Sequence, residues 1–143
     1  KGAGGWLHVA SAAELHRQWA FVALGASMLH AIASIAAPEG GIPAFAVLVP
    51  MLSPTMRGAI TMGTLSLWGL AAITATSLRR SFLSPWVWRA VHALAFGAWV
   101  LSLAHTLFAG TDLVNPLVRA VVLATAAVLA GATAQRVLVT ARA

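Results

Sequence analysis

Cysteine is absent from the chain, which excludes disulfides, iron–sulfur ligation by thiolate and covalent attachment of a c-type haem. Acidic residues are nearly absent too. Three Asp and Glu stand against nine Lys and Arg, and charged residues make up only 8% of the 143, where a soluble domain carries roughly 25%. With 60% hydrophobic residues and a mean hydropathy of +0.88, this is the composition of a polytopic membrane protein. The length predicts an all-α bundle of four spanning helices and leaves no room for a separate soluble domain. In such a protein the net charge of +6 marks loops and anionic headgroups, and nothing points to a nucleic-acid partner. No Asp or Glu falls in the apolar interior of a predicted span, which argues against a proton-coupled transporter.

What is present is a set of long charge-poor runs, the first uncharged between Arg17 and Glu39. The stretch Glu14 to Ala36 opens behind Ser11, whose S-x-x-E spacing to Glu14 is that of a capping box, so a first helix is predicted from about Ala12 until Pro38. Glu39-Gly40-Gly41 reads as a turn. The following apolar segment is interrupted by Pro43, Pro50 and Pro54, so it is expected to lie at the interface or fold back over the helix ends. A second span, Gly58 to Leu78, stops at Arg79-Arg80. Ser84-Pro85 supplies an N-cap and a first-turn proline for a third, running to about Gly110, with Trp86 and Trp88 at interfacial depth. Asn115-Pro116 repeats that signal for a fourth, Leu117 to about Thr140. Lys1 to Ala13 has no apolar core of signal-peptide length and does not begin with Met, which predicts a trimmed or incompletely traced chain and leaves open whether further helices lie upstream. Arg17, Arg79, Arg80, Arg89, Arg136 and Arg142 fall at one side; Arg57 and Arg119 fall at the other with Glu39 and Asp112. The first side is therefore expected to be cytoplasmic, with both termini there and the first and third helices running parallel.

Two of these helices carry histidines near both ends. His16 and His30 are fourteen residues apart, which returns an ideal helix to within about 40° of its starting direction and places them about 21 Å apart along the axis. Ala20, Ala23 and Ser27 share that face and leave a shallow groove. His92 and His105 repeat the arrangement on the third helix. Thirteen residues turn an ideal helix to about 140° off, so this pair shares a face only if the helix is tilted or distorted, for which Gly97 gives room. Matched depth predicts two sites, His16 with His92 and His30 with His105. Two neutral imidazoles on opposite sides of a flat ring are what six-coordinate haem iron takes. Zinc would want two further protein ligands at each level, which the spans do not supply. Structural histidines that only pack are the competing reading.

The histidine spacings together with ELHRQWAFVALGASMLH, SLRRSF, WRAVHALAF and LAHTLFAGTD resemble the ferric reductase-like transmembrane domain family, the haem-bearing membrane part of ferric reductases and NADPH oxidases. The similarity spans roughly residues 14 to 113. It implies a transmembrane di-haem cytochrome b domain over 14–143, with residues 1–13 the tail of an upstream part. Two non-covalent b-type haems would be stacked across the bilayer and pass electrons singly, with His16 and His92 as inner iron ligands and His30 and His105 as outer ones.

Arg17 and Arg89 lie near the inner histidines as candidate partners of haem propionates, as Arg57 or Arg119 do at the outer level; topogenic charge explains them equally well. Trp99 and Phe96 read as packing residues and His8 as solvated. No G-x-G-x-x-G loop or flavin and nicotinamide domain is present, so a separate donor chain or a quinol is expected, together with other membrane subunits. The expectation is thus an electron-transfer subunit in a bacterial cytoplasmic membrane. The rival is a non-redox structural subunit of a larger respiratory or photosynthetic complex.

Overall fold

Ser11 opens the first helix by accepting the Glu14 amide on its hydroxyl at 3.2 Å, half of the predicted box. The other half is not made: the Glu14 carboxylate pairs with Arg17 at 2.5 Å, an ion pair one turn on. The computed structural model describes residues 11–38 and 41–141, so His8, the Glu39-Gly40 turn and Arg142 lie outside the described residues. In chain order the helices are α1 (Ala12–Ala36), the short α2 (Ala44–Leu48), α3 (Arg57–Leu78), α4 (Pro85–Ala109) and α5 (Pro116–Ala141). There is no strand among the described residues. Single 3₁₀ turns at Arg80–Phe82 and Thr111–Val114 join α3 to α4 and α4 to α5.

The starts of α4 and α5 follow the predicted chemistry. Ser84 accepts the Val87 amide at 3.3 Å, and Asn115 accepts those of Leu117 and Val118 at 2.9 and 3.4 Å, each cap being followed by a proline whose missing N–H costs nothing there. Four helices, α1, α3, α4 and the Pro116–Gln135 part of α5, are long and apolar enough to cross a bilayer. Their large side chains, among them Trp19, Leu29, Leu94, Phe96 and Val121, are exposed, as lipid-facing residues are.

The proline-rich segment folds back along α3 as far as the middle of that helix. Ile42 N–H donates to the Ser34 carbonyl at 2.9 Å, the Ala46 carbonyl accepts from the Thr64 hydroxyl at 3.2 Å, and the Leu48 carbonyl accepts from the Trp68 indole at 3.0 Å. Trp68 stands near the middle of α3. The segment then climbs back, with Met51 N–H donating to the Thr61 hydroxyl at 2.9 Å and Ser53 fully buried beside Arg57. It is a hairpin laid against α3. Its irregular backbone is tolerable there because α3 hydroxyls and an indole satisfy its polar groups. Met51 and Met56, both with positive φ (70° and 42°), make its sharp bends.

α3 is the spine. Of the buried residues among those described, Ala59, Ile60, Thr64, Ile73 and Thr74 lie on it and only Ala46 and Ser53 do not; its most extensive neighbour is α4. Small residues permit that approach. A Cβ on Gly69 would stand 3.2 Å from that of Ala98, and the Ser66 hydroxyl donates to the Ala98 carbonyl at 2.8 Å. α1 packs on α3 through Ala20, Leu24, Ser27, Ala31 and Ser34, all half-buried. α5 touches mainly the turn that precedes it.

Candidate functional site: two facing imidazole pairs

The first and third long helices bring their histidines together in the expected pairs. His16 faces His92 with ring centres 6.0 Å apart and planes at 65°; His30 faces His105 at 6.1 Å and 75°. Because the pairs join early to early and late to late positions, α1 and α4 are parallel. The hydrogen-bonded ladder of α4 runs unbroken through Gly97, so both of its rings meet α1 partners without a break in the helix. The two levels are here termed the basic end (His16 and His92, near Arg79 and Arg80) and the loop end (His30 and His105).

At the loop end the chain orients its imidazole through α3. His105 Nδ1 lies 2.8 Å from the Ala59 carbonyl oxygen, which can only accept, so Nδ1 is the donor and in the neutral imidazole the lone pair is on Nε2. That is how metal-binding histidines are commonly prepared. Gly63 makes the approach possible: a Cβ there would stand 2.8 Å from His105 Nδ1 and 2.9 Å from Cε1. Two cavities, of about 360 and 330 Å³, meet at this pair. The first runs toward the middle of the long helices past Ser27, Ala31, Ser66 and Ser102; the second runs toward the α4–α5 turn past Met56, Thr111 and Asp112.

At the basic end the ring is held differently. Trp88 stacks on His92 with centres 4.8 Å apart and planes at 24°, and the Arg80 guanidinium lies 4.4 Å from the centre of the Trp88 ring. Arg17 is engaged with Glu14, and Arg89 is exposed. Arg57 donates to the Ser53 carbonyl at 3.4 Å and Arg119 is exposed.

Simple geometry tests what each pair can hold. Metal–nitrogen bonds of about 2.0 Å, with each ring centre about 1.1 Å beyond its nitrogen, put two imidazoles on opposite sides of one metal about 6.2 Å apart, and tetrahedral ones about 5.1 Å. The observed 6.0 and 6.1 Å match the opposed arrangement. The two rings of each pair are steeply inclined to one another, at 65° and 75°, in an edge-on arrangement. Among the described residues no cluster of three or more His, Asp or Glu exists, so a metal held by either pair would need its remaining ligands from a group that brings its own, such as a porphyrin. The residues present fit such a group.

The predicted groove needs one adjustment. Ala20 and Ser27 are half-buried as expected, but Ala23 is exposed and borders neither cavity; Ala26, Ala31 and Ser34 line the wall instead. The packing face of α1 is turned about 40° from the histidine stripe by helical angle, because α1 rests on α3 while its histidines reach sideways to α4. Ala59 and Gly63 were missed. The signal for Gly63 was a glycine inside a strongly helical run, which asks for a packing reason. For Trp88 it was the i, i+4 spacing to His92, which puts the two on one face.

Fold and site together define an α-helical membrane protein with two imidazole pairs at different depths. No protein-family model, curated protein or solved structure matches the chain.

Proposed function

We propose that the protein is a membrane cytochrome b that holds two non-covalent haems, one between His16 and His92 and one between His30 and His105, and carries electrons across the bilayer. The observation that carries this reading is the pair of imidazole separations, 6.0 and 6.1 Å, repeated at two levels. Haem ligated on both faces by histidine supplies one-electron transfer without an open coordination position for substrate.

The protein's own part is to hold and orient. α3 fixes the His105 tautomer through the Ala59 carbonyl, and Gly63 keeps the space the ring needs. The cavities beside His30 and His105 offer room for a flat ligand between the rings, with small hydroxyl-bearing side chains along it. Fourteen and thirteen residues between ligands put the two levels about 20 Å apart. The similarity of the histidine-bearing motifs to ferric reductase-like membrane domains supports the same reading. By the excess of arginine, the basic end faces the cytoplasm and meets the donor, a separate chain or a quinol.

A structural membrane subunit of a larger complex is the second reading, and α5 favours it: among the described residues this long apolar helix touches mainly its preceding turn. The visible absorption spectrum of the protein purified from haem-replete cells separates the two. A reduced-minus-oxidised spectrum of b type, with a pyridine haemochrome ratio near two per chain and all colour extracted by acid acetone, is expected. A colourless protein, or colour that stays with the polypeptide, refutes the cytochrome.

A further inference from the structure

The two ends differ in how they hold the α4 imidazole. His105 is held by a hydrogen bond to a helical carbonyl; for His92 the equivalent nitrogen, Nδ1, is buried and has no hydrogen-bond partner among the described residues. A ring without such a bond is free to turn about its Cβ–Cγ axis unless something flat lies against it. Trp88 does, at 4.8 Å and 24°, from one helical turn earlier on the same face. The indole is pressed in turn by Arg80, whose guanidinium sits 4.4 Å from its centre in cation–π contact. Arg80 belongs to the 3₁₀ turn between α3 and α4, so the clamp ties the ring to the hairpin connection and not to its own helix alone.

We propose that Trp88 is a positioning residue for His92, setting the plane of that imidazole, and that Arg80 holds Trp88 in place and lends positive charge to the basic-end site. The inference rests on the reading of His16 and His92 as a haem ligand pair. Charge of this sign disfavours the oxidised iron, the more positive of the two states, and so raises the reduction potential of that site alone. Salt screens an exposed arginine, so the effect weakens as ionic strength rises.

The test uses the purified full chain as wild type, Trp88→Phe, Trp88→Leu and Arg80→Gln, with haem content, low-temperature EPR of the oxidised protein and potentiometric titration as readouts. The component that His16→Ala removes identifies the basic-end haem. In Trp88→Leu the low-field g value of that component, which reports the angle between ligand planes, is expected to shift and broaden while the other component stays; Trp88→Phe restores it. In Arg80→Gln the basic-end potential is expected to fall, by less in high salt. Unchanged basic-end g values and potential in Trp88→Leu with both haems bound overturn the proposal, and so does an equal shift of both components. If Trp88→Leu does not insert, Arg80→Gln decides: an unchanged basic-end potential overturns it. Wild type without haem refutes the parent reading and this inference with it, a result plainly distinct from two bound haems insensitive to residue 88.

Discussion

His105 Nδ1 lies 2.8 Å from the backbone carbonyl oxygen of Ala59, on a different helix and 46 positions away in sequence. That carbonyl already serves the amide of Gly63 in the α3 ladder, so the imidazole takes its second lone pair. A helical carbonyl is open to such a visitor only where the side chain one turn later is small.

Gly63→Ala is the direct consequence. Alanine in place of glycine within a helix ordinarily stabilises it by about 0.5 to 1 kcal/mol. Here the new Cβ would sit 2.8 Å from Nδ1, so the ring must move off the carbonyl. The expected outcome is a chain that inserts normally but loses most haem at the loop end, read as a haem ratio falling toward one. Gly97→Ala meets nothing within 4 Å and is expected to keep two.

Pairing predicts a pattern among four alanine variants. His16→Ala and His92→Ala are expected to remove the same spectral component, and His30→Ala and His105→Ala the other, because the rings face each other at 6.0 and 6.1 Å within pairs. Loss of one shared component by His16→Ala and His105→Ala contradicts the arrangement.

The spans, the caps at Ser84 and Asn115 and the depth-matched histidines were legible because each depends on local chemistry: charge-poor apolar length, a polar cap before proline, and helical rise. The hairpin laid against α3 was only half legible. Its prolines excluded a fifth span, but how far it reaches along α3 is decided by Thr64 and Trp68, whose partners are 18 and 20 positions away. The lining of the groove failed at Ala23 for a similar reason. Helical angle shows which residues share a face; which neighbour that face meets depends on where α3 and α4 pack. Gly63 and Ala59 lie in a helix without a histidine, so nothing local tied them to the site.

Cavity filling distinguishes the two faces of α1. Ala31 is half-buried and borders the cavity beside His30, whereas Ala23 is exposed and borders neither cavity. Ala31→Leu is expected to lower haem content at the loop end, since excess bulk in a packed site typically costs about 1 to 3 kcal/mol. Ala23→Leu, pointing to lipid, is expected to leave both haems in place. Equal retention in the two variants places the cofactor face elsewhere on α1.

Arginine placement predicts which end faces the cytoplasm, and cysteine labelling reads it, since the chain has no cysteine of its own. The probe at the loop end must not disturb the fold. Gly41 is unsuitable because a Cβ there would stand 2.8 Å from the Ala37 carbonyl oxygen and 2.9 Å from that of Ile35. Val114, 89% exposed in the turn between α4 and α5, is free of that problem. Ser81, exposed in the turn after Arg80, is its counterpart at the basic end. With an impermeant maleimide on intact cells, Val114→Cys is expected to react and Ser81→Cys to react only after the membrane is opened. The reverse pattern would put Arg79 and Arg80 outside and make the His16 and His92 level the outer one. It would leave both imidazole pairs intact, so the labelling tests the direction of electron flow independently of whether haem is bound.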